Sequence, residues 1–409
     1  MLERMEKQNR IFSGFDADAI DRTTAADLAE VGSDKWTRYP GCIGAFIAEM
    51  DYGLAPCIQQ AIDSACDHCK LGYIPEPWKR RVAEACAGWQ KSHYGWDVDP
   101  DIIRVVPDVL EAYEIFLREL VGAGNAVVVP TPAYMPFLSV PKLYDVDVIE
   151  IEMLQGTDET TGEREWLFDF DAIERAFAAG CHAFVLCNPH NPIGKVLTLA
   201  EEQRLCELAE RYDVRIFNDE IHAPFVYQGH THVPFASINR QTAMQAFTST
   251  SASKSFNIPG TKCAQVILTN PDDLELWMRN AEWSEHQTAT IGAIATTAAY
   301  DGGAAWFEGV MAYIERNIAL VNEQMRTRFA KVRYVEPQGT YIAWLDFSPL
   351  GIGDPANYFF KKANVALTDG RECGEVGRGC VRMNFAMPYP LLEECFDRMA
   401  VALEADGLL

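Results

Sequence analysis

Residues 183–219 read AFVLCNPHNPIGKVLTLAEEQRLCELAERYDVRIFND, and this stretch decides the fold because it holds two apolar runs around one helical pattern. The runs AFVLCN (183–188) and VRIFND (214–219) are short and rich in apolar and β-branched residues, which is typical of buried strands. Between them a Thr-x-x-Glu capping box begins at Thr198, and leucines then recur at helical spacing up to Tyr212. This order predicts a helical crossover between two parallel strands.

Further runs of the same kind extend the pattern along the chain. They are NAVVVP (125–130), QAFTS (245–249) and AQVILT (264–269), and helical patterns alternate with them. Such alternation predicts an α/β fold in which one large domain carries a mostly parallel sheet.

The length of 409 residues predicts a second domain, since a single core usually stops growing at about 250–300 residues. Glycines interrupt a helical run in AYDGGAAW (299–306), and we place the seam there. We therefore expect a large domain at 51–305 and a smaller α+β domain at 306–409. The N-terminal segment 1–50 is expected to join the small domain.

The charge balance of the chain disfavours two classes of binding partner. The chain has 35 basic and 59 acidic side chains and a formal net charge of −24, which disfavours nucleic acid and anionic membranes. Its apolar runs are shorter than the roughly 20 residues of a membrane span. The opening MLERMEKQNR is charged where a secretory signal would become apolar, so we expect a cytoplasmic protein.

The twelve cysteines are expected to be mostly buried thiols, because a chain of this length needs no disulfide framework. Cys66 and Cys69 form a C-x-x-C around His68, yet no second ligand pair follows at the spacing of a zinc site. The helical pattern around them is explanation enough, and we expect no metal.

Polar residues follow the predicted strands at the points where ligands bind in open α/β sheets. Asn191, Asp219 and Lys254 come after three of these strands, and we expect them to converge. Lys254 lies among small hydroxyl and alanine residues in TSTSASKSFNIPG, where a lysine could form a Schiff base with a carbonyl compound. The alternatives are a solvated lysine in a polar loop, and turn-forming roles for Asn188 and Asn191 ahead of prolines.

Together these motifs resemble the fold-type I pyridoxal-phosphate (PLP) enzymes of the class I/II aminotransferase superfamily. The likeness is greatest to the MalY/PatB type of cystathionine β-lyase, a carbon–sulfur lyase. It rests on FIAEMDY, LGY, VVPDVL, PTPAYMPF, NPHNPIGKV, NDEIHAPF, SASKSFNIPG, GTYIAWLDF and VRMNFAMP, which occur in the right order over nearly the whole chain. The resemblance implies the PLP-dependent transferase fold of type I and a homodimer.

The resemblance also implies roles in the chemistry. Lys254 would hold PLP through its ε-amino group and later take the Cα proton of the substrate. Asp219 would keep the pyridine nitrogen protonated, Asn191 would donate to the phenolic oxygen, and Tyr134 would stack on the ring. Arg382 would receive the substrate α-carboxylate, which suits a planar guanidinium.

A second group of residues is implied for the phosphate. Ser251, Ser253 and Lys262 fall where the superfamily places phosphate ligands, and Tyr73 of LGY would reach the phosphate of the neighbouring subunit. The helix that begins with Val109 would point its amides at the same anion.

Three positions distinguish this chain from common patterns of the superfamily. Asp108 stands where a glycine is common; with Glu111 it predicts a capping box, in which the carboxylate turns away from the phosphate. His222 stands near the cofactor where aminotransferases commonly have a tyrosine, and the lyase branch shares this histidine. Met135 follows Tyr134 where the lyase branch often has a second tyrosine, which bears on the leaving group.

The resemblance therefore implies β-elimination from S-substituted cysteines, with pyruvate, ammonia and a thiol as products, in methionine supply or sulfur scavenging. Two alternatives remain open at this point. One is a PLP-dependent aminotransferase that uses the same residues, and the other is a regulatory binding protein without turnover.

Overall fold

The main sheet is built on the crossover predicted from residues 183–219. Strands Ala183–Cys187 and Arg215–Asp219 pair in parallel, and the helix Leu199–Tyr212 connects them. The side chain of Thr198 accepts from the backbone N–H of Glu201, whose carboxylate accepts from the N–H of Thr198 at 2.8 Å. The predicted crossover and its capping box are therefore confirmed.

The computed structural model describes residues 14–157, 162 and 164–409, so residues 1–13 of the predicted N-terminal segment lie outside it. Within these ranges seven strands form the main sheet. In spatial order they are Ile103–Val106, Ala264–Ile267, Ala246–Thr250, Arg215–Asp219, Ala183–Cys187, Ala126–Thr131 and Asp147–Glu152.

The sheet is mostly parallel, as predicted, with one exception. Ala264–Ile267 runs antiparallel to both of its neighbours, while the other strand pairs are parallel. All five residues of the strand Ala183–Cys187 are buried, and alternate side chains join two different apolar clusters. Apolar layers thus cover both faces, as expected of a parallel sheet.

The α-helices of the described chain fall into two sets. Up to the glycine-rich break they are Ala17–Asp21, Ala25–Val31, Asp34–Thr37, Pro56–Asp67, Glu76–Tyr94, Val109–Phe116, Met135–Ser139, Phe170–Ala178, Leu199–Tyr212, Arg240–Gln245, Ala252–Ser255, Pro271–Asn280, Glu282–His286 and Thr290–Gly302. After it they are Ala304–Thr327, Pro355–Ala363 and Tyr389–Ala405. None of the helices in the described ranges combines the length and apolarity needed to cross a membrane.

Smaller sheets complete the fold. Four antiparallel strands lie side by side in the order Arg333–Tyr334, Ile342–Asp346, Cys380–Asn384 and Thr368–Asp369. Two more pairs are Ile43–Gly44 with Val365–Ala366, which is parallel, and Leu154–Thr157 with Arg164–Leu167, which is antiparallel. The first of these pairs joins the N-terminal segment to the C-terminal part of the chain.

The predicted seam coincides with a break between two helices at Gly303. A large apolar core then unites residues of the N-terminal segment, such as Trp36, with residues of the C-terminal part, such as Phe396. The domain boundaries at 50 and 305 themselves stay a prediction.

Close packing at Gly292 holds the turn that precedes Lys262. A Cβ added to Gly292 would lie 2.1 Å from the carbonyl oxygen of Thr261. Because that contact is too short, the turn Pro259–Thr261 must move in a Gly292→Ala protein. We expect this overpacking to lower the free energy of unfolding by about 1–3 kcal/mol, measured as a lower Tm by calorimetry.

Gly88→Ala is the matched control, since Gly88 also lies inside a helix, Glu76–Tyr94, with no atom within 4 Å of an added Cβ. Alanine favours a helix over glycine by about 0.5–1 kcal/mol, so this protein should be at least as stable as the wild type. Equal Tm values for the two variants would contradict the packing described at Gly292.

Candidate active site

A cavity of about 340 Å³ lies at the carboxyl ends of the parallel strands. Seven residues predicted from the sequence line it: Lys254, Asp219, Asn191, Tyr134, His222, Val109 and Arg382. Four others, Ser251, Ser253, Lys262 and Tyr73, do not. The structure thus brings together the groups implied for the reacting centre, whereas of those implied for the phosphate only Val109 lines the cavity.

Lys254 lies in the one-turn helix Ala252–Ser255, directly after the strand Ala246–Thr250. Its Nζ donates to the carbonyl oxygen of Ala48 at 2.9 Å. Burial of the amine, together with the positive charge of Arg382, lowers the pKa of Lys254 to about 8. A larger share of the amine is therefore neutral near pH 7 than in an ordinary lysine, as a nucleophile requires.

Asp219 ends the strand Arg215–Asp219 and is only 3% exposed. Its Oδ1 accepts from the backbone N–H of Ile221 at 3.1 Å. Burial raises the pKa of this carboxyl to about 7, while the Ile221 N–H and the charge of Lys254 oppose the rise. A buried carboxyl of this kind gains stability as an anion when a cation comes within reach.

His222 and Tyr134 are the other ring-bearing residues predicted for this site. Burial lowers the pKa of His222 to about 3, helped by the charges of Lys254 and Arg382, so its imidazole is neutral. The Nδ1 of His222 has no hydrogen-bond partner among the described residues. Tyr134 packs edge-on against Phe137, with ring centroids 5.5 Å apart, and burial raises the pKa of its phenol.

Arg382 carries a positive charge that no described carboxylate pairs with. It lies in the strand Cys380–Asn384 and is 4% exposed. Its Nη2 donates to the carbonyl oxygen of Phe46 at 2.8 Å, and its Nη1 lies 3.4 Å from Oδ1 of Asn191. A buried guanidinium without an anionic partner indicates a site for an anionic ligand.

The two asparagines of NPHNPIG serve different purposes. Asn188 accepts from the N–H of Leu197 at 3.1 Å and donates to Glu202 at 3.0 Å, so it holds the turn together. Asn191 instead lines the cavity beside Arg382. Asn191 also lies in a turn, at residues 191–194, so the turn-forming interpretation holds for it as well, but only Asn191 lines the cavity.

The residues implied for the phosphate are partly engaged with the protein itself. The Ser251 hydroxyl donates to the carbonyl oxygen of Cys263 at 2.9 Å and accepts from the Ser253 N–H at 3.0 Å. Lys262 is exposed and forms an ion pair with Asp108 at 2.8 Å. Only Val109, the first residue of its helix, reaches the cavity.

The predicted capping box at Asp108 is wrong in one half. Oδ1 of Asp108 does cap the helix Val109–Phe116, accepting from the N–H groups of Leu110 and Glu111 at 3.1 and 3.0 Å. Glu111 does not return the bond, because its carboxylate accepts from the hydroxyl of Ser284 at 2.6 Å. Because Oδ1 of Asp108 accepts both capping hydrogen bonds, its Oδ2 is free to accept from Lys262.

Tyr73 lies on the surface, with 83% of the residue exposed. Its ring stacks on His286 with centroids 5.0 Å apart, and His286 stacks in turn on the exposed Trp283 at 5.1 Å. Tyr73 also lines a second, open depression that is separate from the Lys254 cavity. In a single chain this tyrosine therefore contributes nothing to the cavity.

The cysteines are all free, and eight of the twelve are buried, which confirms the expected buried thiols. Cys66 and Cys69 are exposed, and the helical explanation covers only the first, because the helix Pro56–Asp67 ends before Cys69. In the part of the chain that the structure describes, no group of three or more His, Cys, Asp and Glu side chains is arranged to hold a metal ion.

Several cavity residues were not identified as site residues from the sequence. Two of them are Met135 and Ile221, and the others come from the N-terminal segment and the C-terminal part: Arg38, Tyr39, Phe46, Ile47, Ala48, Leu367, Thr368 and Glu372. The motif FIAEMDY contains three of them, so the resemblance carried a signal. Arg38 and Glu372 lie in no motif and could not be recognised.

The groups in the cavity fit PLP. An amine of lowered pKa suits its aldehyde, a buried carboxyl suits its pyridine nitrogen, an amide suits its ring oxygen, and an aromatic side chain suits its ring face. The unpartnered Nδ1 of His222 and the anion-free Arg382 are further polar groups that a bound ligand would satisfy. On the phosphate side only Val109 lines the cavity, and Lys262 is paired with Asp108.

Comparison with known proteins agrees with this geometry. The family model described as "Aminotransferase class I and II" matches residues 49–399. The chain is 32% identical to a cystathionine β-lyase of Corynebacterium glutamicum, covering 90% of this chain and 96% of the relative. It is 30% identical to cystathionine β-lyase PatB of Bacillus subtilis, covering 88% and 92%.

A solved structure shows the same fold. Cystalysin from Treponema denticola, whose crystal structure contains PLP, has a TM-score of 0.86 at 27% identity, with 94% of this chain and 98% of that chain covered. The predicted type I fold of PLP-dependent transferases is confirmed. With the family model matching most of its length, the chain belongs to the class I and II aminotransferase family.

Proposed function

We propose that the protein is a PLP-dependent carbon–sulfur β-lyase that cleaves S-substituted cysteines, such as cystathionine, to pyruvate, ammonia and a thiol. The observation that carries this proposal is the meeting of Lys254, Asp219 and Arg382 in one cavity. Together they offer an amine of lowered pKa, a buried carboxyl and a guanidinium without an anionic partner. The relatives named as cystathionine β-lyases support the substrate class.

The cavity residues hold the cofactor in defined ways. When bound, PLP supplies an aldehyde that joins the substrate amine and a ring that draws the electron pair away from Cα. Lys254 carries it covalently, and Asp219 holds a proton on the pyridine nitrogen. Asn191 donates to the ring oxygen, Tyr134 lies against the ring, and the neutral His222 packs beside it.

The phosphate is held by the N-terminus of the helix that starts at Val109 and by side chains nearby. Ser253 contributes a hydroxyl that makes no hydrogen bond within the described residues, and Ser251 holds the backbone next to it. Lys262 exchanges its ion pair with Asp108 for the phosphate. The cost of that exchange is small because both side chains are partly exposed.

The substrate is bound and deprotonated by two residues. Arg382 binds the α-carboxylate, which orients the Cα–H bond toward the Lys254 amine. Lys254 takes the Cα proton as a general base, and the sulfur leaves Cβ with the bonding electrons as a thiolate, which then takes up a proton to become the thiol. The aminoacrylate released then adds water and yields pyruvate and ammonia.

The wider setting belongs to the same proposal. Tyr73, exposed in one chain, reaches the active site of a second copy in a homodimer, where its phenol contacts the phosphate. The enzyme works in the cytoplasm, in methionine supply or sulfur scavenging.

Turnover of cystathionine without a keto acid tests the reaction type. We expect the PLP-loaded protein to release pyruvate, ammonia and homocysteine in equal amounts, measured with lactate dehydrogenase and a thiol reagent. An aminotransferase would instead need an added keto acid and would form the corresponding amino acid. That result, or binding without turnover, would contradict the lyase proposal.

Replacing the proposed base tests the role of Lys254. We expect Lys254→Ala to lose the visible absorbance band of the attached cofactor and at least about a hundredfold in the rate of pyruvate formation. Lys91→Ala is the control, because Lys91 is exposed and lies outside the cavity. If the Lys254→Ala protein kept both the band and the rate, another residue would have to carry the cofactor.

The lowered pKa of Lys254 predicts how fast the apo-protein takes up PLP. Only the neutral amine attacks the aldehyde, so the rate of attachment should rise with pH and reach half its maximum near pH 8. Stopped-flow absorbance measures it. Because the charge of Arg382 lowers that pKa, Arg382→Gln should move the midpoint to higher pH. A wild-type rate that keeps rising to about pH 10, as for an ordinary lysine, would rule out this environment.

A further inference from the structure

The outer part of the cavity carries two opposite charges to which the proposed reaction gives no role. Arg38 and Glu372 both line it, together with Phe46, Met135 and Leu367. The side chain of Arg38 is 51% exposed, and Glu372 is exposed as well. Arg382, in contrast, is buried. We call the buried end of the cavity at Arg382 its floor, and the exposed end at Arg38 and Glu372 its mouth.

Phe46 connects the floor to the mouth. Its carbonyl oxygen accepts from Nη2 of Arg382 at 2.8 Å, and its ring lies 5.4 Å from Cζ of Arg38. The two guanidinium groups thus contact the two ends of one residue. A substrate whose α-carboxylate is bound at Arg382 would extend its S-substituent along this side chain toward Arg38.

Glu372 belongs to the short helix Gly370–Cys373, directly after the strand Thr368–Asp369 that pairs with the strand of Arg382. It forms no hydrogen bond or ion pair with any residue that the structure describes. Its charge is therefore available to a ligand.

Arg38 is held in place without losing its capacity to bind. Asp34 accepts from its Nε at 3.2 Å and also from its Nη2, which fixes the guanidinium plane over Phe46. Five N–H donors leave capacity for a second carboxylate. Arg38 and Glu372 do not form an ion pair with each other, so a positive and a negative side chain are both present at the mouth of the cavity.

We propose that Glu372 and Arg38 bind the far end of the substrate, Glu372 its ammonium group and Arg38 its carboxylate. The enzyme would then select thioethers that carry an amino-acid group at both ends, with the apolar side chains of Phe46, Met135 and Leu367 around the methylenes and sulfur between. This inference rests on the proposed lyase function and specifies its substrate class.

Four substrates of similar length distinguish the contribution of Glu372 from that of Arg38. The S-substituent of cystathionine ends in both an ammonium and a carboxylate. That of S-(3-aminopropyl)cysteine ends in the ammonium alone, that of S-(3-carboxypropyl)cysteine in the carboxylate alone, and that of S-propylcysteine in neither. We expect Glu372→Gln to lower kcat/KM about fivefold, through KM, for the two substrates with the ammonium. Arg38→Gln should do the same for the two with the carboxylate. S-propylcysteine should stay within about twofold in both variants.

Glu375→Gln and Arg378→Gln are the matched controls. These residues form an exposed ion pair at 3.6 Å close to Glu372 along the chain, and neither lines the cavity. They should leave all four substrates unchanged, which shows that net charge alone has no effect.

The possible outcomes distinguish a failure of the far-end inference from a failure of the lyase proposal. A wild type that releases no pyruvate from any of the four substrates overturns the lyase proposal. A wild type that cleaves them, but whose Glu372→Gln and Arg38→Gln variants change all four alike or none, overturns only the far-end inference.

Discussion

A lysine amine held in a cavity without a carboxylate partner is the constraint on which the chemistry depends. The Nζ of Lys254 has the Ala48 carbonyl as its hydrogen-bond acceptor, so burial disfavours its charged form and lowers its pKa. The same burial raises the pKa of Asp219. In the protein alone, burial thus favours the neutral form of both groups. A ligand with an electrophilic carbon at one end and a basic nitrogen at the other could bond to the neutral amine of Lys254 and give the carboxylate of Asp219 a cationic partner.

The segment of residues 46–49, which lies outside the main sheet, connects the side chains of the cavity through hydrogen bonds. Residues 46–48 of this segment line the cavity. Each of the four backbone carbonyls of residues 46–49 accepts a side-chain hydrogen bond, and the donors include Lys254 and Arg382. The segment is anchored by the buried ion pair of Lys35 with Asp51, at 2.7 Å. Breaking such a pair would leave an uncompensated buried charge, which is strongly destabilising, so the two side chains hold residues 35 and 51 together. Residues far apart in sequence thereby share one hydrogen-bonded unit.

The alternation of strands and helices along the chain, and the motifs that follow the strands, were the features that the sequence could predict. The crossover at 183–219, the mostly parallel sheet and the cavity around Lys254 are all found, because functional residues in such sheets come directly after the strands. The reversed direction of Ala264–Ile267 could not be predicted, since a buried strand has the same pattern in either direction. Nor could the pairing of Asp108 with Lys262, which lie 154 residues apart, or the charges at the mouth, which belong to no motif.

The attachment point of the cofactor tests the central claim most directly. The PLP-loaded protein would be reduced with borohydride, digested and analysed by peptide mass spectrometry. The account predicts a single stable adduct on Lys254, with Lys262, eight residues further along the chain, unmodified. An adduct on any other lysine, or no adduct in a protein that still turns over its substrate, would contradict it.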